Sequence, residues 1–380
     1  MISFKSANVY LNNKKIVRTS LVIKGNKFSS LRTSQGITLS NKYFIVPGFI
    51  EEHIHGANAS DTMDATKDAL HNIATSITQS GTTSFLPTTM TMSKASIKKA
   101  LTNIKKKQYA PNEAKILGVH LEGPFISEVY RGAQDKKYIV KPNISLMKDF
   151  INASGNKIKI VTLAIEKSDM NFIKFLKKNR IVISVGHSNA TFSEVKKYQN
   201  DINCFTHTYN AMSKLHHRDI GVTGAALTLK DMYAELILDL KHVSQEAAQL
   251  LFNNKGKNKL VLITDSMEGR YMKSGKYHLG TFPVYVKNGY ALLKDGQLAG
   301  SVLTTNEALR NAKKIFNLKL EEAVDLVSKN VANNLHLKNV GEIKIGNDAD
   351  FVIIDQDFNV YQTYVNGKLV YSKKNFLLTK

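Results

Sequence analysis

The sequence predicts an α/β protein, a (β/α)8 barrel of the TIM type with a small β-sandwich domain built from both chain ends. Three observations predict it. From residue 43 onward, short β-branched apolar runs alternate with stretches of helical period, the rhythm of βα units on a parallel sheet. Eight such runs can be counted, which is the number that closes a barrel. The two ends of the chain instead alternate like antiparallel strands, and neither end has enough strands for a core of its own.

The eight runs are 43–55, 83–88, 115–121, 158–165, 181–187, 203–207, 233–238 and 259–265. Helix-period segments lie between them at 64–81, 94–107, 170–179, 191–199 and 244–253. After the eighth run an insertion at 277–299 carries two hairpin turns, Asn288-Gly289 and Asp295-Gly296. Helices are expected at 304–316 and 320–335. The end of the chain alternates over 348–355 and 360–371, with Asn366-Gly367 as its turn, and the first 40 residues turn at Lys24-Gly25-Asn26. Chain ends of one domain tend to lie close together, so the two are expected to pair beside the barrel. The division is then 1–46 and 341–380 for the β-domain and 47–340 for the barrel.

Composition narrows the function. With 43% apolar and 22% charged residues the 380-residue chain is an ordinary globular protein. No apolar stretch approaches the roughly 18 residues of a membrane span. Its start, Met1-Ile2-Ser3-Phe4-Lys5, lacks the layout of a signal peptide. A single cysteine, Cys204, allows no internal disulfide. A cytoplasmic protein without membrane association is expected. The net charge of +22 raises the question of nucleic acid, but only seven of the 53 basic residues are arginine. Phosphate forks and guanine reading favour arginine, and no basic stripe is interleaved with aromatics. Nucleic-acid binding is not expected; steering of a small anionic substrate is.

Active sites of such barrels lie at the C-terminal ends of the strands. The first run ends in His53-Ile54-His55, the third in Glu122, the fifth in His187, the sixth in His207 and the eighth in Asp265, while the seventh leads to Asp239. Residues two apart on a strand share a side, so His53 and His55 can both face the barrel mouth. A lone histidine at a strand end is usually a packed one. Four of the eleven at three strand ends, with two carboxylates at others, make the donor set of a divalent transition metal.

Several strings then show a family resemblance. Val46-Pro47-Gly48-Phe49-Ile50 followed by His53-Ile54-His55-Gly56 looks like the opening of the amidohydrolase superfamily. Residues 80–88, His120-Leu121-Glu122-Gly123-Pro124-Phe125, Gly186-His187-Ser188-Asn189-Ala190, and 206–212 (Thr206 to Met212) resemble the N-acetylglucosamine-6-phosphate deacetylase family, a likeness that runs to Gly341–Gly346. The resemblance implies a metal-dependent hydrolysis of the acetamide of N-acetylglucosamine 6-phosphate, in amino-sugar catabolism and cell-wall recycling. Alternatives are the same chemistry on N-acetylgalactosamine 6-phosphate and a non-catalytic binding protein on an amidohydrolase-like barrel. It implies Glu122, His187 and His207 as ligands of one ion and His53, His55 and Asp265 as ligands of a second, with Glu122 between them. One or two ions of Zn, Fe, Mn or Co would suit. Asp265 is implied as the catalytic acid/base. Ala133, Gln134, Asn210, Ala211, Arg218, Asp239, His242, Leu298, Ala299 and Gly300 are implied as substrate contacts. Gln134 stands where many members have a histidine, so this contact can donate a hydrogen bond but carry no charge. Arg218 matches a phosphate-binding arginine delivered from a neighbouring subunit, which implies a homodimer. His120 is expected behind the ligands or in the core, and Cys204 as a buried structural thiol.

Overall fold

Gly48 is the point at which the chain leaves one sheet for another. In the computed structural model, which describes residues 1–12 and 14–376, Phe44–Pro47 pairs with strands of the β-domain and Phe49–Ile54 opens the barrel. The sequence led to one strand over 43–55. The break is steric: a Cβ at position 48 would lie 2.1 Å from Thr83 Oγ1, so only glycine lets the two strands pass this close.

The barrel strands are Phe49–Ile54, Thr82–Thr89, Val119–Glu122, Ile158–Leu163, Val182–Val185, Cys204–Phe205, Tyr233–Ile237 and Leu260–Ile263. Each pairs in parallel with the next. They are buried along nearly their whole length, which is why they read as continuous apolar runs rather than alternating ones. The helices that return the chain follow the apolar stripe. Lys94–Lys106 buries Ile97, Ala100, Leu101 and Ile104 on one face, and Ser93 caps it by accepting from Ser96 N. Two helices lie outside the expected set. Ile144–Ser154 starts at an Asn143 cap and stops at Gly155. Gly221–Thr228 is buried on nearly every side, so no polar face marks its period.

The seam between the eighth and first strands is closed in two ways. At its upper end Asp265 N donates to His53 O (3.1 Å) and His55 N to Ser266 O (3.0 Å). Lower down a wedge fills the gap: Leu262 N donates to Leu326 O (3.1 Å) and Ile50 N to Val327 O (2.7 Å). This explains why the helix expected over 320–335 is two helices, Leu320–Asp325 and Lys329–Asn334. The carbonyls between them serve the barrel instead of a helix.

The insertion forms a three-stranded antiparallel sheet, Gly275–Leu279, Phe282–Lys287 and Tyr290–Leu292. Asn288 and Gly289 both have positive φ, as a two-residue hairpin turn requires. Leu279, Val284, Val286 and Ala291 pack with Met90 and Met267, which seats the insertion over the barrel mouth.

Both chain ends hydrogen-bond into one eight-stranded sheet that runs from Lys368–Ser372 through Phe351–Ile354, Phe44–Pro47 and Ile2–Leu11 to Lys27–Ser30. Phe351 and Phe28 lie four strands apart, about 19 Å in a flat sheet, yet their rings are 6.1 Å apart. The sheet therefore curls over its own core of Phe4, Phe28, Ile45, Phe351 and Tyr364, and one sheet supplies both layers of the sandwich.

Candidate active site

Three of the candidate residues share an unusual backbone. His187, His207 and Asp265 each sit two residues past the end of a barrel strand, rather than ending it, with φ of 47°, 30° and 49°. Left-handed backbone at a non-glycine residue costs about 1–3 kcal/mol and persists only where the surroundings impose it. Here Ser127 N donates to His187 O (2.8 Å), Glu235 Oε2 accepts from His207 N (3.1 Å), and Asp265 is tied to His53 on one side and Ser301 on the other. The turns swing all three side chains over the barrel axis.

They converge on Glu122. Its Oε1 is 3.1 Å from His187 Nε2, 3.3 Å from His207 Nε2 and 3.4 Å from His53 Nε2. Its Oε2 is 3.3 Å from His55 Nε2, and Asp265 Oδ1 lies 3.2 Å from that atom and 3.5 Å from His53 Nε2. Six of these side chains fall into two groups, Glu122 with His187 and His207, and His53 and His55 with Asp265. All are buried.

The hydrogen bonds on the far side of the rings test whether a cation fits. His187 Nδ1 faces Tyr130 O (2.9 Å), His207 Nδ1 faces Asn210 O (3.1 Å) and His53 Nδ1 faces Glu235 Oε2 (3.0 Å). A carbonyl or carboxylate oxygen can only accept, so each Nδ1 carries a proton and each ring aims its Nε2 at the centre. His187 Nε2 and His207 Nε2 are 3.1 Å apart, and buried His53 Nε2 has no hydrogen-bond partner. With the Nδ1 atoms taken up elsewhere, the Nε2 atoms and the two carboxylates are grouped closely enough to share a cation, so the residues fit a divalent ion.

The electrostatics agree. Burial works to raise the Glu122 carboxyl, yet His53, His187 and His207 hold it well below the usual carboxylate range. Asp265, against the same burial, is drawn down to about 2 by His53 and His55. Burial lowers His55, but Asp265 and Glu122 lift it to about 10. The carboxylates demand positive charge at this spot strongly enough to overcome desolvation. His120 behaves otherwise. Burial and the neighbouring His53 push it down to about 3, and both its nitrogens are used, Nδ1 on Glu52 O (3.0 Å) and Nε2 on Thr162 Oγ1 (2.7 Å). Cys204 is fully buried and its thiol is pushed up by desolvation.

A cavity of about 280 Å³ opens onto this cluster. Ala133, Gln134, Asn210, Ala211, His242, Leu298, Ala299 and Gly300 line it together with Glu122, His55, His187, His207 and Asp265. Gln134 is held at both ends: its Oε1 accepts from Thr91 N (2.7 Å) and its Nε2 donates to Glu122 Oε2 (2.6 Å). Asp239 does not line the cavity but accepts from His242 Nδ1 (2.8 Å), which turns the His242 ring. Arg218 is not there at all. It lies exposed on the loop after His207, beside His217. Among the described residues no lysine or arginine lines the cavity.

A second layer of buried acids lies behind the residues that the sequence points to. Glu235, in the middle of the seventh strand, and Glu52, beside His53, are completely buried, and Glu51 pairs with buried Arg270. The available signal was an acidic residue interrupting an apolar run, as in Tyr233-Ala234-Glu235-Leu236-Ile237, since such a charge is buried only with a partner.

Comparison with known proteins agrees with this geometry. The model of the amidohydrolase family matches residues 44–370. An N-acetylglucosamine-6-phosphate deacetylase of Lysinibacillus sphaericus is 41% identical over 330 residues, 86% of this chain and 85% of that protein. Its counterpart in Bacillus subtilis (strain 168) is 37% identical over 387 residues, 97% of each. Among solved structures, the N-acetylglucosamine-6-phosphate deacetylase of Thermotoga maritima superposes with a TM-score of 0.89 at 32% identity, over 98% of this chain and all of that one.

Proposed function

This chain belongs to the amidohydrolase family, a metal-dependent group, and from that premise we propose that it hydrolyses the acetamide of N-acetylglucosamine 6-phosphate to glucosamine 6-phosphate and acetate. The observation that carries the reading is the convergence of four imidazole Nε2 atoms, Glu122 and Asp265 at one barrel mouth, beside a cavity that can admit a small molecule. The relatives above act on the gluco sugar, so the galacto epimer is not favoured. A binding protein on a decayed barrel would have lost donors, and here every donor position is filled.

Glu122, His187 and His207 would hold one divalent ion and His53, His55 and Asp265 a second, with zinc, iron, manganese and cobalt all suited to this donor set. When bound, the ion lowers the pKa of water from about 15.7 toward about 7 and polarises the acetyl carbonyl. Asp265 takes the proton of the attacking water and returns it to the departing nitrogen, which must leave protonated. Its Oδ1 faces the cluster, and the imidazoles of His53 and His55 keep the carboxyl ionised, so that it can accept a proton. Gln134 lines the pocket beside Glu122 and carries no charge. Because its amide is already engaged by Glu122 and Thr91, it offers orientation rather than charge. Asn210, Ala211, Ala133 and Leu298 to Gly300 shape the sugar pocket, and His242, its ring set by Asp239, lines it with them.

A dianionic phosphate calls for a cation, and among the described residues no lysine or arginine lines the cavity. This supports a homodimer in which Arg218 reaches the neighbouring cavity, where its fork suits phosphate. A cytoplasmic setting fits the single thiol, and among the described residues no helix is long and apolar enough to cross a membrane. The test is acetate release from N-acetylglucosamine 6-phosphate and its galacto epimer, with metal content measured on the same sample. Fast release from the gluco sugar with one or two ions per chain is expected. Release from neither sugar in a metal-loaded sample would refute the substrate assignment.

A further inference from the structure

Glu235 lies beneath the cluster, in the seventh barrel strand, with no exposed surface. Its Oε2 accepts two hydrogen bonds, from His53 Nδ1 at 3.0 Å and from the main-chain N of His207 at 3.1 Å. His53 belongs to the donor group with His55 and Asp265, and His207 to the group with Glu122 and His187. One carboxylate oxygen therefore fixes a ring of one group and the backbone of the other. The main chain adds to this, since Thr208 N donates to Glu235 O (2.9 Å).

A carboxylate is an expensive choice at this position. Charge buried away from water must be compensated, and a shape-matched apolar side chain often packs there at less cost. Among the described residues Glu235 Oε1 has no hydrogen-bond partner, and the buried Glu52 carboxyl lies close beside Glu235. Two local effects account for a charged residue here. Accepting from His53 Nδ1 sets that ring's tautomer and leaves its Nε2 lone pair facing the centre. Accepting from His207 N helps to hold a residue whose φ of 30° is unfavourable for any side chain but glycine.

We infer that Glu235 is a positioning residue that locks His53 and the His207 turn to each other, so that the cluster's affinity for a divalent cation depends on it. The inference rests on reading the cluster as a cation centre, and the experiment separates the two. Metal-free wild type, Glu235→Gln and Glu235→Ala are titrated with Co2+, read by visible absorption and equilibrium dialysis, and the thermal melt of each metal-free protein is recorded. Glutamine keeps the shape and an accepting oxygen but removes the charge. Its Kd for Co2+ is expected to rise about 10–100-fold, with a metal-free melt no lower than that of wild type. Alanine, which also frees the His53 ring, is expected to alter the shape of the Co2+ absorption band. Co2+ affinity and spectra equal to wild type in Glu235→Gln would overturn the inference, whatever the melts, and leave Glu235 a structural acid. Failure of wild type itself to bind Co2+ would overturn the cation reading and this inference with it.

Discussion

Arg270→Met should destabilise the barrel by about 3–5 kcal/mol, far more than the loss of an ordinary arginine. Arg270 is completely buried and sits across the seam between the eighth and first strands. Its Nη1 reaches Glu51 Oε2 on the first strand at 3.1 Å and Ser266 Oγ just past the eighth at 3.3 Å. Its Nη2 donates to Ser80 Oγ (2.8 Å) and Tyr271 OH (3.1 Å). Glu51, only 1% exposed, is contacted otherwise by the hydroxyls of Thr264 and Thr305, neither of which can neutralise it. Methionine fills much of the volume but strands that carboxylate in a low-dielectric site, and this stranded charge is the source of the magnitude. Removing both charges, with Glu51→Leu and Arg270→Met together, should recover most of the loss, since the desolvation cost goes with them. Urea unfolding of wild type, both single variants and the double variant measures the coupling. A single variant that loses less than about 1 kcal/mol, or a double variant as unstable as the sum of the singles, would refute the reasoning.

Asp265→Asn should lower kcat about 10²–10⁴-fold with the ion of Glu122, His187 and His207 retained; full turnover in that variant would remove Asp265 as acid/base. Arg218→Ala should raise KM for the phosphorylated sugar far more than for the unphosphorylated one, and equal changes would remove Arg218 from phosphate binding. Burial raises the folded pKa of Asp325 to about 6 although Tyr10 OH, at 2.8 Å, and Lys329 pull it down. A raised carboxylate favours folding when protonated. Its contribution is therefore full below about pH 4, the unfolded value, and is lost as pH rises through about 6. Two units correspond to about 3 kcal/mol at most. Asp325→Asn, which still accepts from Tyr10, should abolish this loss in urea unfolding at pH 4 and pH 8; parallel pH profiles for both proteins would contradict it.

What the sequence by itself determined is what local rules write. Alternation and helical period marked the eight barrel strands and most helices, and Asn288-Gly289 and Asn366-Gly367 marked turns because a left-handed pair of residues demands those side chains. The His53-Ile54-His55 pair and the strings around Glu122, His187, His207 and Asp265 pointed to a shared mouth, since strand ends of a barrel share one face. The sixth strand, only Cys204–Phe205 among paired residues, was legible through that rhythm more than through its own length.

Tertiary structure decided the rest. Nothing local tells that 320–335 must break at Leu326 and Val327, because the need for the break lies in strands whose amides lack partners. Gly48 ends a strand because Thr83 passes beside it. Glu235 meets His53 across 182 residues, and Arg270 meets Glu51 across 219. Such pairs carry no period and no motif. The cost of burying each charge is local, but the partner that offsets it is supplied only when the barrel closes; Arg218, exposed on the loop after His207, shows in turn that a residue near a ligand in sequence can lie outside the cavity of its own chain.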